Sequence, residues 1–268
     1  MTLSQLALLP FLALISPSGD APLPPPVGDP GGAAILQKAG LRGTFVLYDV
    51  GRKRMTATDV ALAGATFLPM STFKIPNTLI GLGTGVIPDE RFTLPWDGKD
   101  HGRPTWNRDH TLVSAIQESV LWYYQEVARR IGPERMKAWL DRLGYGNRDI
   151  SGGIDRFWLD GRLRISPVGQ IVFLDRLRTR TLPVRPEHAE LVERITTLES
   201  APGWVWRGKT GTSNGRKPLA WLVGSTERDG RAYVYAFFAE DRSVEKLMRV
   251  RKDLVRRLLE HAGALPRR

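Results

Sequence analysis

The chain has 268 residues, 42% of them hydrophobic and none of them cysteine, with 39 basic against 28 acidic residues for a formal charge of +11. That length can bury one sizeable core, and the missing cysteines exclude disulfides, thiolate nucleophiles and thiolate metal sites. The basic residues, such as Arg129-Arg130 and Arg256-Arg257, are scattered among acidic ones without a zinc-finger or RNA-motif signature, which argues against nucleic acid and for a basic surface that attracts small anions.

Residues 6–15 form an apolar run followed by Ser16-Pro17-Ser18-Gly19, the pattern of a secretory signal peptide, although residues 1–5 carry no Lys or Arg. The expectation is a signal peptide over residues 1–21, a Pro/Gly-rich extended linker over 22–32, and one folded domain over 33–268 that is periplasmic or secreted. No apolar run reaches the roughly 18 residues that cross a membrane. Strands are expected over residues 44–50 and 55–58 around a Gly51-Arg52-Lys53 turn. Helical patterns follow over 75–82, over 112–131 as one long helix, and over 134–143 with Gly144 as its stop. Further helices are expected over 169–177 and over 186–198, the latter with Pro186 near its start. Strands return over 220–225 and 232–238 around the hairpin signal Arg228-Asp229-Gly230. A closing helix over 244–262 repeats Leu247, Val250, Leu254 and Leu258. Strands at both ends with helices between predict an α+β fold: an antiparallel sheet flanked by helices, with an inserted mainly helical region.

The chemistry concentrates first in Met70-Ser71-Thr72-Phe73-Lys74-Ile75-Pro76-Asn77. If Ser71 opens a helix, Lys74 lies one turn on along the same face, so an amine reaches a hydroxyl beside helix N–H groups that suit an anion. Alone, a Ser-x-x-Lys pair is expected about once by chance in this length. Ser119, set in Glu118-Ser119-Val120-Leu121, reads as a helix-cap serine or as a proton relay. Lys209-Thr210-Gly211 presents an ammonium, a hydroxyl and approachable backbone N–H groups to an anionic ligand, and such a tripeptide is expected only about 0.05 times by chance. The four histidines form no metal-binding pair, which argues against a zinc hydrolase.

Ser-x-x-Lys, a second serine and Lys-Thr-Gly, in that order, form the pattern of the penicillin-recognising serine enzymes. The chain resembles a class D β-lactamase, the oxacillinase family, over nearly all of its length after residue 32. The resemblance is carried by Phe67-Leu68-Pro69-Met70-Ser71-Thr72-Phe73-Lys74, Trp106-Asn107-Arg108-Asp109, Tyr145-Gly146-Asn147, Phe157-Trp158-Leu159-Asp160-Gly161 and Lys209-Thr210-Gly211. It implies hydrolysis of penicillin-type antibiotics by a serine β-lactamase, with Ser71 as the acylated nucleophile. Lys74 would be carbamylated by CO2 or bicarbonate into a general base, in a pocket lined by Phe73, Val120, Leu121, Trp158 and Leu159. The Trp158 indole N–H would hold the carbamate, and Ser119 would return the proton to the leaving nitrogen with help from Lys209. The backbone N–H groups of Ser71 and Thr212 would form the oxyanion hole. Lys209, Thr210, Gly211, Thr212 and Arg251 would bind the substrate carboxylate, Arg249 being the rival to Arg251, while Trp106 and Leu121 would line the substrate site. No metal or organic cofactor is implied; the partner is a small-molecule β-lactam, and the protein would be a monomer or homodimer.

Two departures stand out. Leu121, where the family commonly has valine, would crowd the carbamate or alter water access, and Thr212-Ser213, which follows Lys-Thr-Gly as in penicillin-binding transpeptidases, bears on substrate range. Two relatives of this chemistry therefore stay open beside the lactamase: a penicillin sensor that stops at the acyl-enzyme, and a transpeptidase or carboxypeptidase that deacylates slowly.

Overall fold

A computed structural model describes residues 22–268. The signal peptide expected over 1–21 lies outside the described residues. In chain order the elements are β1 (Val27–Gly28), α1 (Pro30–Lys38), β2 (Arg42–Asp49), β3 (Arg54–Ala57), α2 (Val60–Gly64) and α3 (Lys74–Gly83). Next come β4 (Thr93–Leu94), β5 (His110–Thr111), α4 (Leu112–Gln117), α5 (Leu121–Ile131), α6 (Pro133–Leu143), α7 (Pro167–Arg178) and α8 (Pro186–Ile195). The chain closes with β6 (Thr197–Ala201), β7 (Trp204–Thr212), β8 (Leu219–Arg228), β9 (Arg231–Glu240) and α9 (Val244–His261).

Seven strands form one sheet in the order β1-β3-β2-β9-β8-β7-β6. Only β1 and β3 pair in parallel, so the sheet is antiparallel apart from one short edge, as expected. The β8–β9 hairpin turns at Asp229 (φ 49°) and Gly230 (φ 75°), the two left-handed positions that a type I′ turn requires. Strand alternation divides the interior between the two faces of the sheet. Ala220 and Leu222 point to the α1 and α9 side with Phe45, Tyr235 and Leu254. Trp221 and Val223 point to the opposite side, where α3, α5, α7 and the inserted helical region build the larger core.

Three expectations are corrected. Residues 22–32 are not a plain linker: Val27–Gly28 joins the sheet, and Pro30 opens α1 because the Asp29 carboxylate accepts from Gly32 N–H at 3.0 Å. The helix expected over 186–198 ends at Ile195, and Thr197–Ala201 becomes the edge strand β6 against β7. The helix expected over 112–131 is two helices. It breaks at Ser119, where the Val120 N–H reaches back to Ala115 O (2.9 Å) and the Ser119 N–H to Ile116 O (3.3 Å). These two bonds make a Schellman C-terminus with Ser119, at φ 60°, in the left-handed position that glycine usually takes.

Candidate active site

Ser71 stands on a 3₁₀ turn, Met70–Phe73, that runs directly into α3. Neighbouring strands and loops pin the turn at both ends. Phe67 exchanges backbone hydrogen bonds with Ile165 at 2.9 Å, and the Met70 N–H donates to Trp158 O at 3.1 Å. The Trp221 indole donates to Leu68 O (2.9 Å) and the Gln170 amide to Thr72 Oγ1 (3.0 Å). Met70 is held at φ 51° immediately before the nucleophile position, a strained setting for a side chain of its size.

Lys74 opens α3 and is 1% exposed, with its Nζ hydrogen-bonded to Ser71 Oγ at 2.9 Å. Its Nζ also stands 5.3 Å from the centre of the Tyr124 ring. Burial, and secondarily the positive charge of Arg103, pulls the Lys74 amine down to about 7 from its ordinary 10.5. The sequence set Lys74 among Phe73, Val120, Leu121, Trp158 and Leu159. Phe73, Val120 and Trp158 are fully buried, Leu159 packs on the core from a partly exposed position, and Leu121 is the half-exposed first residue of α5. Trp158 stacks on Phe73 at 5.2 Å, and its buried Nε1 has no hydrogen-bond partner among the described residues.

Ser119 meets Lys209 across the cleft: Lys209 Nζ donates to Ser119 Oγ at 3.0 Å and to Thr210 O at 3.1 Å. Burial, then the charges of Lys74, Arg251 and Arg103, hold the Lys209 ammonium well below its usual value. Arg251 Nη1 reaches β7 from α9, donating to Gly211 O (2.9 Å) and Thr212 Oγ1 (2.8 Å). Arg249 is exposed on the same helix, so of the two arginines Arg251 is the one at the cleft. The threonine that departs from the family habit thus anchors that arginine.

The register of β7 aims the Thr212 N–H. Ser213 N–H donates to Leu219 O at 3.0 Å, and because antiparallel bonding alternates, the N–H one residue earlier turns away from β8. On that side β6 pairs only along Trp204 to Arg207, leaving the end of β7 bare of strand partners. The Ser71 turn packs against that end of β7: a Cβ on Gly211 would sit 3.0 Å from Pro69 O, so the close approach favours glycine. Trp106 completes the Ser119 wall by donating its indole N–H to Glu118 O at 3.0 Å.

Arg103 is the residue that sequence reasoning missed. Its guanidinium lies 4.8 Å over the Trp106 ring, and its charge is felt at Lys74, Lys209 and Arg251. Among the described residues none of these four cations pairs with a carboxylate within 4.0 Å. A cleft with three basic side chains lacking carboxylate partners, Arg103, Lys209 and Arg251, around the Ser71–Lys74 pair suits an anionic substrate.

A sheet-borne Lys-Thr-Gly facing a Ser-x-x-Lys turn and a second serine defines the penicillin-recognising class of serine enzymes. Consistent with this, the penicillin binding protein transpeptidase domain matches residues 47–260. The chain is 40% identical over 229 residues to β-lactamase OXA-10 of Pseudomonas aeruginosa, covering 84% of this chain and 86% of that protein. It is 43% identical over 199 residues to the probable β-lactamase YbxI of Bacillus subtilis, covering 74% of each. The crystal structure of FUS-1 (OXA-85), a class D β-lactamase of Fusobacterium nucleatum subsp. polymorphum, superposes with a TM-score of 0.86 at 34% identity, covering 89% of this chain and 100% of that one. The chain belongs to the class D β-lactamase family.

Proposed function

We propose that the protein hydrolyses the β-lactam ring of penicillin-type antibiotics through an acyl-enzyme on Ser71. The observation that carries this reading is the pair of hydrogen bonds Lys74–Ser71 (2.9 Å) and Lys209–Ser119 (3.0 Å) on facing walls of one cationic cleft. Lys209, Thr210 and Arg251 bind the substrate carboxylate, with Thr212 and Gly211 holding Arg251 in place. As the Ser71 hydroxyl attacks the ring carbonyl, the N–H groups of Ser71 and Thr212 receive the developing oxyanion. Ser119 passes a proton to the departing nitrogen and recovers it through Lys209. Trp106 and Leu121 flank the entrance.

Lys74 fits carbamylation on two counts: an amine poised near 7 is neutral enough to take up CO2, and the orphaned Trp158 Nε1 is a buried donor in want of an anion. When carbamylated, Lys74 supplies a carboxylate-like general base for acylation and for the hydrolytic water. With Lys74 anionic, one of the charges depressing Lys209 changes sign and favours its protonated form. Among the described residues no helix is long and apolar enough to cross a membrane. The proposed enzyme is periplasmic or secreted, a monomer or homodimer of one domain that includes β1 and α1.

Rapid mixing with a chromogenic cephalosporin tests the reading. Sustained turnover that Ser71→Ala abolishes is the expected result. A burst of one product per protein followed by a stall would replace it with the sensor or transpeptidase alternatives.

A further inference from the structure

The loop that carries Arg103 is tied down before any substrate arrives. His101 N–H donates to Asn107 Oδ1 at 2.9 Å, and Asn107 Nδ2 donates to Asp100 Oδ1 at 2.8 Å. The Trp122 indole donates to Trp106 O at 2.9 Å. These contacts also occupy the nearby acids. Asp97 is engaged by His101 and Lys99, and Asp100 by Asn107 and Gly102. Arg103 is left exposed with no carboxylate partner among the described residues, its guanidinium 4.8 Å over the Trp106 ring. Contact with an aromatic face restrains a guanidinium and leaves N–H donors available for a carboxylate.

Its place in the cleft decides which carboxylate. Trp106 is hydrogen-bonded to the residue before Ser119, so Arg103 belongs to the wall that carries the second serine. The ring carboxylate is taken by the opposite wall, where β7 holds Lys209, Thr210 and Arg251. We propose that Arg103, laid across Trp106, is a second anion subsite that selects β-lactams whose acyl side chain carries its own carboxylate. The inference rests on the lactamase reading and adds to it a substrate class, the dianionic penicillins.

The test uses a matched pair, benzylpenicillin and α-carboxybenzylpenicillin, which differ by one carboxylate on the side chain. The measured quantity is the ratio of kcat/KM for the dianion to that for the monoanion. Arg103→Gln lowers this ratio about fivefold, chiefly through KM, the scale of a partly exposed charge pair. Arg103→Lys, which keeps the charge without the planar guanidinium, recovers part of it, and Arg103→Glu drops below the Gln variant. Added salt erodes the wild-type ratio but not that of Arg103→Gln. Lys99→Gln, which removes a cation from the same loop, leaves the ratio in place. An unchanged ratio in Arg103→Gln, or an equal fall in Lys99→Gln, overturns the subsite while leaving the lactamase reading intact. Failure of the wild-type protein to turn over either penicillin overturns both.

Discussion

Lys74 and Ser71 share a 2.9 Å hydrogen bond in a place where the lysine is 1% exposed, so the amine beside the nucleophile's hydroxyl is almost wholly cut off from water. Water's absence is what brings the amine down to about 7, with the Arg103 charge adding to it. Near neutral pH the amine is therefore partly unprotonated, whereas an exposed lysine would be almost wholly charged.

The first prediction concerns acid pH. Only the neutral amine captures CO2, so in CO2-depleted buffer turnover falls away as pH drops through about 7. Carbamylation draws the equilibrium away from the protonated amine, so added bicarbonate moves the acid limb to lower pH. Steady-state rates across pH 5–9 at several bicarbonate concentrations provide the check. A limb that ignores bicarbonate would remove the modified lysine from the mechanism.

A second prediction follows for stability. The unfolded lysine holds its proton up to about 10.5 while the folded one releases it near 7, so between these values the unfolded chain binds more protons. Stability of the unmodified protein therefore rises with pH across that window, and the lysine's penalty is complete only below it. Lys74→Met removes the penalty. In CO2-free buffer the variant gains on the wild type by something on the order of 4 kcal/mol below pH 7, and the gain shrinks toward zero at pH 10. Denaturant titrations at pH 6 and pH 10 measure it, and a gain that does not vary with pH refutes the depressed amine.

The legibility of the molecule in its sequence follows how far apart the partners are. Ser71 and Lys74 lie one turn apart, so spacing alone brings them together. Ser119 and Lys209 are 90 residues apart, and only the ordered family pattern connects them. The break at Ser119 is hidden because Glu118-Ser119-Val120 holds neither Gly nor Pro, and helical patterning resumes at Leu121. Thr197–Ala201 carries little apolar signal because it is an edge strand whose side chains remain partly exposed. Asp29-Pro30 does spell a helix start, but the surrounding prolines and glycines read as linker. Arg103 has no signature of its own, since one more cation in a basic chain is informative only when its stacking partner is seen.

The third prediction uses Trp158. Replacing it with Phe keeps a ring against Phe73 but deletes a buried donor that has no partner among the described residues. A hydrogen bond to a charged group contributes about 1.5–3 kcal/mol, so the variant should need roughly ten- to a hundredfold more bicarbonate for half-maximal activity. Saturating bicarbonate then restores much of kcat. A bicarbonate requirement equal to the wild type's would show that the indole holds something else.

The fourth prediction separates the shape of Ser119 from its chemistry. The residue sits at φ 60° at the C-terminus of α4, where any side chain pays about 1–2 kcal/mol relative to glycine. That strain aims Oγ at the Lys209 ammonium, 3.0 Å away, instead of letting the chain continue as one helix to α5. Ser119→Ala and Ser119→Gly both remove the hydroxyl, and both should lose proton delivery to the leaving group, with kcat/KM for a penicillin falling at least a hundredfold, roughly the contribution of a positioned acid. Their stabilities should differ in the opposite sense to a helix interior, glycine exceeding alanine by about 1 kcal/mol, because alanine keeps the strain and glycine releases it. Chemical denaturation of the two variants side by side decides it: alanine equal to or above glycine would mean that the left-handed turn at Ser119 stores no strain, and that the serine is positioned by its hydrogen bond to Lys209 alone.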